Sequence, residues 1–467
     1  MAIAVEPADL LAEAALAAPV RALLDRCGFA GVSAPGGAAG DVDALTGLFV
    51  RELPRQRAVV ERQIGADGLD LLLAAGLVRV TGDVVATVAL DRCGDVVVVA
   101  DRREVDRPDV VAGVQPPSRT LTDLTLRRPV ARALDVGTGN GVQAVLLARH
   151  AQQVVATDLS ERALGFARAT LLLNGVGNVE LRRGSLLDPV AGETFDVVAA
   201  NPPYVIGPDE QVLFRSNPEA GDALCAGLCR ALPAVLAPGG VATVMVSWVD
   251  DEDAGGPPAP LRWLDASGVD ALLLHARTDA AADNVATWTR DTAGQPGHDE
   301  RVARWTAYYD GLGIGAIGYG IAVVRRPVVA RPTASIVVPV GIEASPSAAD
   351  QLERALAALD EVAHASDPLA LRVELDTGTV VTRAERAAPG HWFPVAAGLH
   401  SDIDLPMRIA LAPLELAVVH ALGAGAPSFT AALDVACAPE GVDAAARERA
   451  ARLLVELAAR GHLVVAA

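Results

Sequence analysis

Lysine is absent from the sequence, so all 39 residues of the lysine and arginine class are arginines. A mechanism that needs a lysine, such as a Schiff base with a carbonyl substrate, is therefore excluded. Aromatic residues are also few, at 3% of 467 residues, yet apolar residues together reach 51%. That apolar content can fill large cores, so the chain is predicted to be folded rather than disordered.

Cysteine is scarce as well, with five scattered residues: Cys27, Cys93, Cys225, Cys229 and Cys437. This odd and dispersed set does not suit a disulfide framework and fits a reducing compartment. Cys225 and Cys229 lie four residues apart on a predicted helix, with no second cysteine or histidine pair nearby. We interpret them as core residues and predict no metal site.

Long apolar runs are missing, because no stretch reaches the roughly 18 residues of a membrane-spanning helix. The N-terminus also lacks a basic segment followed by an apolar core, which is the pattern of a secretory signal. The sequence therefore predicts a soluble, cytoplasmic protein without a membrane partner.

Negative charge dominates, with a formal net charge of -19. The average field of such a protein repels a long polyanion, so nucleic-acid binding would need a local arginine patch. The candidate patches, at 51–62 and at Arg102, Arg103 and Arg107, are interspersed with carboxylates and are interpreted as solvated surfaces. The charge favours a protein or peptide partner, with nucleic acid as the alternative.

The length predicts about three domains. Residues 1–115 show helical spacing at 8–27, 41–63 and 69–75, followed by short strands that Gly82-Asp83 and Gly94-Asp95 separate. Residues 331–467 show a helix at 348–365, a strand pair formed by 371–375 with 380–382, and three helical segments between 411 and 460. Both are predicted as α+β domains that resemble winged helices, a scaffold that serves many kinds of partner.

Residues 116–330 form the predicted central domain, in which strands and helices alternate. Apolar runs predict strands at 132–136, 153–157, 179–183, 195–199 and 241–247, and two final strands at 269–275 and 317–324. This alternation is typical of an α/β, Rossmann-like, doubly wound and mostly parallel sheet with helices on both faces. Motifs that follow parallel strands meet at one edge of the sheet. The segment 116–121 is expected to pass close to the mouth of a site at that edge.

A glycine-rich turn, Gly137-Thr138-Gly139-Asn140-Gly141, follows the first of these strands and opens a helix. Such glycines let the backbone turn tightly and approach a ligand, and the N–H groups of the helix suit a ligand carboxylate. The spacing G-x-G-x-G differs from the G-x-G-x-x-G of dinucleotide sites. Asp135, at the end of the strand, is placed to meet an ammonium group of the ligand directly or through water.

The second strand ends in Asp158 and Leu159, about 20 residues after the glycine turn, where an acid commonly accepts hydrogen bonds from ribose hydroxyls. The alternative is that Asp158 or Ser160 only caps the helix that follows. The strand–helix context favours the ligand role for Asp158.

The fourth strand leads into Asn201-Pro202-Pro203-Tyr204. An amide or a ring-attached amine is a poor nucleophile, because its lone pair is delocalised. Two acceptors, the Asn201 side-chain oxygen and the Pro202 carbonyl, could draw its N–H bonds toward a reactive tetrahedral geometry. Tyr204 offers a flat face to a planar group. The alternative is an ordinary Asn-Pro turn, which the upstream glycine turn and Asp158 make the weaker interpretation.

With these motifs, residues 116–326 resemble a class I S-adenosylmethionine-dependent methyltransferase of the small-domain N-methyltransferase group. That group includes HemK-type release-factor glutamine methyltransferases and enzymes that act on adenine N6 or guanine N2 of nucleic acids. The resemblance implies S-adenosylmethionine as cofactor and catalytic roles for Asn201, Pro202 and Tyr204. The implied cofactor-binding residues are Asp135, Gly137, Thr138, Gly139, Asn140, Gly141, Asp158, Leu159, Ser185, Leu186 and Asn201. Members of the family often have an acid at the position of Ser185.

The resulting hypothesis is an enzyme that methylates a planar nitrogen, preferably of a glutamine or asparagine side chain in a protein or peptide. A base amine of RNA or DNA is the first alternative, and a cofactor-binding scaffold without catalysis is the second. Trp248 and the acidic run 250–253 would favour a neutral or cationic target if they line the entrance, although a solvated loop is equally consistent. His400, Asp402 and Asp404 are interpreted as a polar loop rather than as metal ligands.

Overall fold

The computed structural model describes residues 5–30, 43–208, 220–250, 255–265, 267–331, 333–341, 345, 347–388, 391–401, 405, 407–438 and 441–465. Within these ranges, no helix combines the length and the apolar character that crossing a lipid bilayer requires.

The N-terminal part builds four short helices and two β-hairpins. The helices are α1 (Ala17–Arg26), α2 (Ala44–Phe49), α3 (Arg57–Ile64) and α4 (Ala66–Ala74). The strands are β1 (Val78–Thr81), β2 (Asp83–Ala86), β3 (Ala89–Cys93) and β4 (Val96–Ala100), and β1 pairs with β2 and β3 with β4, both antiparallel. Gly82 and Gly94 occupy the turns with φ of 90° and 60°, a region of backbone conformation that favours glycine. The order of helices followed by hairpins agrees with the sequence pattern, and the likeness to a winged helix stays a prediction.

A sheet of eight strands forms the centre of the molecule. Its strands are β5 (Val130–Val136), β6 (Ala151–Asp158), β7 (Val179–Arg183), β8 (Phe195–Ala200), β9 (Leu236–Asp250), β10 (Asp270–Ala280), β11 (Ala316–Arg325) and β12 (Ser335–Pro339). They follow the order β12-β10-β11-β9-β8-β5-β6-β7, and only the two pairs made by β11 are antiparallel. The predicted Rossmann-like, mostly parallel fold class is confirmed.

Helices cover both faces of this sheet. They are α5 (Pro116–Leu124), α6 (Val142–Leu147), α7 (Glu161–Leu173), α8 (Ala223–Val235), α9 (Ala259–Leu264), α10 (Ala281–Thr289) and α11 (His298–Leu312). Side chains of a strand alternate between the faces, as its period of two requires. Leu272 and Leu274 of β10 belong to the core that includes α5, whereas Ala271 and Leu273 belong to the core that includes α8 and α9. Both faces are therefore buried.

The edge strand β12 lies beyond residue 330, where the sequence placed the start of the C-terminal domain. It pairs in parallel with β10, from Ser335 opposite Ala271 to Pro339 opposite His275. The large sheet therefore continues past that boundary, because the short apolar run 335–339 completes its edge.

The C-terminal region packs against the sheet through α12 and then forms smaller elements. These are α12 (Ala348–His364), β13 (Val373–Leu375), β14 (Thr379–Ala388), β15 (His391–Ser401), β16 (Ile409–Leu411), α13 (Pro413–Gly423), α14 (Phe429–Ala436), α15 (Ala444–Ala459) and β17 (Leu463–Val465). The pairing expected between 371–375 and 380–382 is wrong, since β13 pairs with β17 and β14 pairs with β15. A turn closed by the bond from Thr379 N to Asp376 O at 2.9 Å redirects the chain between β13 and β14.

The N-terminal part and the central domain share one core. Phe166 and Leu173 of α7 lie in the same apolar cluster as Leu24 of α1 and Leu72 of α4. The buried guanidinium of Arg162 in α7 binds Asp101, which follows β4, with 2.9 Å between Nε and Oδ2. The two parts therefore form a single packed unit.

Candidate functional site

The predicted motifs converge where the sheet changes winding direction, at the carboxyl ends of β5, β6 and β8. Strand β5 lies between β6 and β8, and it is parallel to both. The helices α6 and α7 that follow β5 and β6 contact each other, whereas α8, which follows β8, packs with the opposite core. In open α/β sheets, a crevice for ligands forms at such a point.

The glycine turn uses conformations that other residues adopt at a cost. Gly137, Gly139 and Gly141 have φ of 69°, 54° and 82°. A Cβ at Gly141 would lie 2.9 Å from Ala167 Cα, so this glycine also lets α6 and α7 pack closely. A Cβ at Gly137 would lie 3.9 Å from the Asn201 carbonyl oxygen. The turn therefore runs beside the segment that follows β8.

Polar side chains within the turn hold its shape. The hydroxyl of Thr138 donates to Asp135 Oδ2 at 2.6 Å. The amide of Asn140 donates to the Ala112 carbonyl at 3.0 Å and accepts from Val142 N at 3.1 Å. Asn140, predicted to bind the cofactor, thus uses both of its polar groups within the chain and shapes the turn.

Asp135 is only 1% exposed, and burial raises its pKa to about 7. The hydrogen bond from Thr138 lowers the pKa, while the neighbouring Asp158 raises it further. A cation beside Asp135 would favour its charged form, because opposite charges at short range stabilise each other. The position predicted for an ammonium group thus has matching electrostatics.

Asp158 links the glycine turn to β6. Its Oδ2 accepts from Gly139 N at 2.9 Å, and its Oδ1 accepts from Ser160 N at 2.8 Å. Burial raises its pKa, although these backbone donors lower it. Ser160 is the residue that caps α7, since its hydroxyl accepts from Ala163 N at 3.2 Å. The capping alternative therefore applies to Ser160 and not to Asp158.

Two further predicted residues flank Asp158. Leu159 is 57% exposed, which is unusual for leucine and leaves an apolar surface at the strand end. Leu186 has a φ of 44°, and its carbonyl accepts from Thr157 Oγ1 at 3.0 Å. Ser185 is exposed in the same turn, which the bond from Gly184 N to the Asp158 carbonyl at 3.0 Å ties to β6.

Asn201 is held by α5, so the expectation that 116–121 approaches the site is confirmed. Asn201 Nδ2 donates to Ser118 Oγ at 3.3 Å. The buried Gln143 in turn donates to the Ser118 carbonyl at 2.8 Å and to Thr122 Oγ1 at 3.0 Å. In the part of the chain that the structure describes, no donor binds Asn201 Oδ1. The amide is thereby oriented with its oxygen available as an acceptor.

Ser118 and Gln143 did not emerge from the sequence. No helix was predicted at Pro116 and Pro117, although proline is well suited to the first turn of a helix. A signal was present in Gln143, a polar residue within the apolar run 142–147. Arg119 donates to the Arg92 carbonyl at 3.1 Å and forms an ion pair with Asp91 at 3.7 Å.

The segment after Asn201 is fixed by α10 and α11, which are inserted between β10 and β11. The Tyr309 hydroxyl donates to the Ile206 carbonyl at 2.8 Å. Gly207 lies against Trp305 so closely that a Cβ would be 2.4 Å from the ring. The carbonyl of Tyr204 accepts from the buried Ser247 hydroxyl. These contacts set the position of the Tyr204 side chain.

A cavity of about 260 Å³ adjoins Tyr204, and none of the described residues that line it belongs to the glycine turn. Its walls come from α5, from β9, β10 and β11, from α10, and from Val340, Gly341 and Leu405 of the C-terminal region. The tyrosine hydroxyl is buried, which raises the pKa of Tyr204 and keeps it neutral. The site thus has a polar half at the glycine turn and an apolar half beyond Tyr204.

Trp248 does not line an entrance, contrary to one of the possibilities raised by the sequence. It is 1% exposed and packs over Gly318, where a Cβ would lie 2.1 Å from the indole. Of the acidic run, residues 251–253 lie outside the described residues, and Asp250 accepts from Thr278 Oγ1 at 3.0 Å.

The remaining candidate positions are the two cysteines of α8 and the aspartates that follow His400. Cys225 and Cys229 are buried, and burial raises the pKa of Cys225 to about 12. Asp402 and Asp404 lie outside the described residues. Across the described ranges, no group of three histidine, cysteine or acidic side chains is arranged to hold a metal ion.

Comparison with known proteins gives matches to the central part of the chain. Residues 113–225 match the family model described as methyltransferase small domain. The release factor glutamine methyltransferase of Xylella fastidiosa is 33% identical over 147 residues, which cover 28% of this chain and 54% of that protein. The ribosomal RNA small subunit methyltransferase C of Alcanivorax borkumensis is 29% identical over 176 residues, which cover 35% of this chain and 50% of that protein.

Among solved structures, the chain is similar to an S-adenosylmethionine-dependent methyltransferase from Thiobacillus denitrificans in complex with S-adenosyl-L-homocysteine. The two are 18% identical with a TM-score of 0.25, and the match covers 48% of this chain and 94% of that one. The chain spans about half the length of the curated relatives it matches.

Proposed function

We propose that residues 113–225, which match the family model described as methyltransferase small domain, belong to a class I, S-adenosylmethionine-dependent enzyme, and that the whole chain methylates a planar amide nitrogen. The preferred acceptor is a glutamine or asparagine side chain of a protein or peptide. The observation that carries this proposal is the orientation of Asn201, whose Nδ2 is bound by Ser118 while its Oδ1 is available.

The residues at the glycine turn fit the cofactor. S-adenosylmethionine, when bound, supplies a methyl group activated by a sulfonium, together with an ammonium, a carboxylate, a ribose and an adenine. Asp135 and Asp158 are two carboxyls with raised pKa, and a cationic ligand would favour their charged forms. The exposed Leu159 offers an apolar surface to the adenine.

The acceptor nitrogen would lie against Asn201 and Pro202. The side-chain oxygen of Asn201 and the backbone carbonyl of Pro202 accept hydrogen bonds from the N–H groups of the acceptor. These bonds reduce delocalisation of the lone pair on the acceptor nitrogen. Tyr204 stacks on the planar group, and its buried, neutral hydroxyl adds no charge. Neither a metal ion nor a strong base is needed in this arrangement, because alignment and acceptor placement can supply several kcal/mol.

Charge and relatives support an amide acceptor. The net charge of -19 opposes a nucleic-acid backbone. One matched relative is named for a release factor glutamine, although another is named for ribosomal RNA. The second name keeps a base amine as the alternative acceptor.

The test is transfer of labelled methyl from S-adenosylmethionine into a bacterial lysate by the wild-type chain and by Asn201→Ala. We expect Asn201→Ala to bind the cofactor with unchanged affinity in calorimetry and to transfer ~10²–10³-fold more slowly, because one preorganised acceptor is lost. Equal activity of the variant would refute the role of Asn201.

Digestion of the labelled material identifies the acceptor class. Label that protease releases would support an amide acceptor, whereas label that nuclease releases would assign the chain to nucleic acid. Cofactor binding without any label would favour a scaffold and contradict the proposed catalysis.

A further inference from the structure

Among the described residues that line the cavity beyond Tyr204, Tyr204 is the one assigned to the acceptor, and none is assigned to the cofactor. The cavity lies at the same sheet edge, because the carboxyl ends of β9 and β10 and the start of β11 contribute to it. Pro116 and Pro117 line it, and the next residue, Ser118, binds Asn201. The cavity wall therefore adjoins the residue that binds Asn201.

Its walls are apolar and aromatic. Leu274, Met245 and Ile321 form the floor on the sheet, while the rings of Tyr204, Tyr319 and Trp288 stand around it. None of the described residues that line it is acidic. Such a surface gains free energy by excluding water from an apolar group.

The one charge in the wall is already paired. The guanidinium of Arg277 lies 4.3 Å from the centre of the Tyr319 ring, and its Nε binds Asp279 Oδ2 at 2.8 Å. A cationic group in the cavity would lie near this arginine, and no carboxylate among the described lining residues is available to pair with it. The cavity therefore disfavours the cationic target that the acidic run 250–253 could have favoured.

The size limits what can enter. An apolar cavity of ~150 Å³ already accepts a benzene-sized molecule. At about 260 Å³, this cavity has room for one large side chain and is too small for a folded segment of a protein.

We propose that this cavity receives a large apolar side chain of the peptide acceptor, adjacent to the amide that is methylated. This inference rests on the proposed function. The chain would thus select its acceptor by sequence context, with the amide at Asn201 and an aromatic or bulky aliphatic neighbour beyond Tyr204. The inserted helix α10 and the C-terminal residues Val340, Gly341 and Leu405 complete the pocket.

The test uses two small amides and the complex of the protein with S-adenosyl-L-homocysteine. N-acetyl-L-phenylalaninamide carries the apolar side chain, and N-acetyl-L-alaninamide is its truncated counterpart. We expect ligand-observed NMR titration to give the phenylalanine compound an affinity about tenfold higher, since it buries more apolar area.

A pair of variants locates the binding. Thr287 is an exposed residue of α10 at the cavity wall, so Thr287→Trp should plug the cavity from its rim and abolish the difference between the two amides. Thr306 is an exposed residue of α11 outside the wall, so Thr306→Trp should preserve the difference.

Equal affinities for the two amides in the wild type, or a preference that survives Thr287→Trp, would overturn the assignment. Binding of 9-methyladenine in preference to the phenylalanine compound would assign the cavity to a nucleobase instead. Methyl transfer is not measured, so a failed pocket and a failed catalytic proposal give separate results.

Discussion

At the scale of single residues, Ser118 is expected to set the direction of the Asn201 amide. Without its hydroxyl, the amide can turn by 180° and present N–H groups to an acceptor that also carries N–H groups. Ser118→Ala should slow methyl transfer by about tenfold, in line with one hydrogen bond. Ser118→Thr keeps the acceptor oxygen and should restore the rate.

Nuclear magnetic resonance can separate this role from a general loss of structure. The chain has six asparagines, so selective ¹⁵N labelling gives six pairs of side-chain amide signals, and loss of one pair in Asn201→Ala identifies Asn201. Ser118→Ala should shift that pair alone, and Ser118→Thr should return it. An unmoved Asn201 signal in Ser118→Ala would rule out the contact in solution.

Asp135 gives the site a pH dependence. Its pKa is about 7 in the folded chain, so between pH ~4 and pH ~7 this carboxyl is protonated when the chain is folded and ionised when the chain is unfolded. The free energy of unfolding therefore falls as the pH rises from ~4 to ~7. A bound cation favours the ionised carboxyl. Cofactor affinity should therefore rise between about pH 6 and pH 8, by up to ~tenfold per unit below the pKa.

Calorimetry across this range measures the effect, with Asp135→Asn as the matched variant. The amide cannot ionise, so its affinity should be lower at about pH 8 and should rise less with pH than that of the wild type. A steep rise that persists in Asp135→Asn would place the titrating group elsewhere.

The positions of the predicted site residues along the sheet edge follow from the sequence, because each lies at or shortly after the end of a strand. The surroundings of a residue were harder to predict. Trp248 follows the same strand pattern, yet its indole turned into the core over Gly318. Ser118 was missed because its partner, Asn201, is 83 residues away, and no local pattern reports a contact of that range.

At the scale of elements, the helices α10 and α11 hold the segment that follows Asn201. Gly207→Ala would place a Cβ 2.4 Å from the Trp305 ring. Such overpacking typically costs ~1–3 kcal/mol and shifts the backbone. We expect slower methyl transfer at unchanged cofactor affinity, because the displaced segment carries Tyr204 but not the glycine turn.

Gly177→Ala is the matched control, since no atom lies within 4 Å of the added Cβ. Its transfer rate and its midpoint of urea unfolding should match the wild type. Equal rates for Gly207→Ala and Gly177→Ala would show that the inserted helices do not position Tyr204.

The alternation of strands and helices was predictable at this scale because buried parallel strands form continuous apolar runs. The pairing partner of a short strand could not be predicted in this way. β13 has three residues, and its pairing with β17 depends on packing of the helices between them rather than on its own sequence.

At the scale of the whole molecule, the ion pair between Arg162 and Asp101 joins the N-terminal part to the central domain. The two side chains are 3% and 1% exposed. Asp101→Asn would leave the arginine buried without a counter-charge, which typically costs ~3–5 kcal/mol. The free energy of unfolding from urea titration should fall by that amount.

The exposed pair Arg452 and Glu448 is the control, because its side chains are 64% and 71% exposed. Glu448→Gln should change the free energy of unfolding by less than ~1 kcal/mol. A similar loss in both variants would mean that burial at the N-terminal contact contributes nothing.

The edge strand β12 has a consequence for biosynthesis. The ribosome makes β10 well before residues 335–339, so a nascent chain that stalls between them presents an unpaired strand edge to other chains. Leu405 emerges several seconds later still, because a ribosome adds about 5–20 residues per second. A growing polypeptide therefore completes the crevice at the glycine turn first, its sheet second and the cavity beyond Tyr204 last.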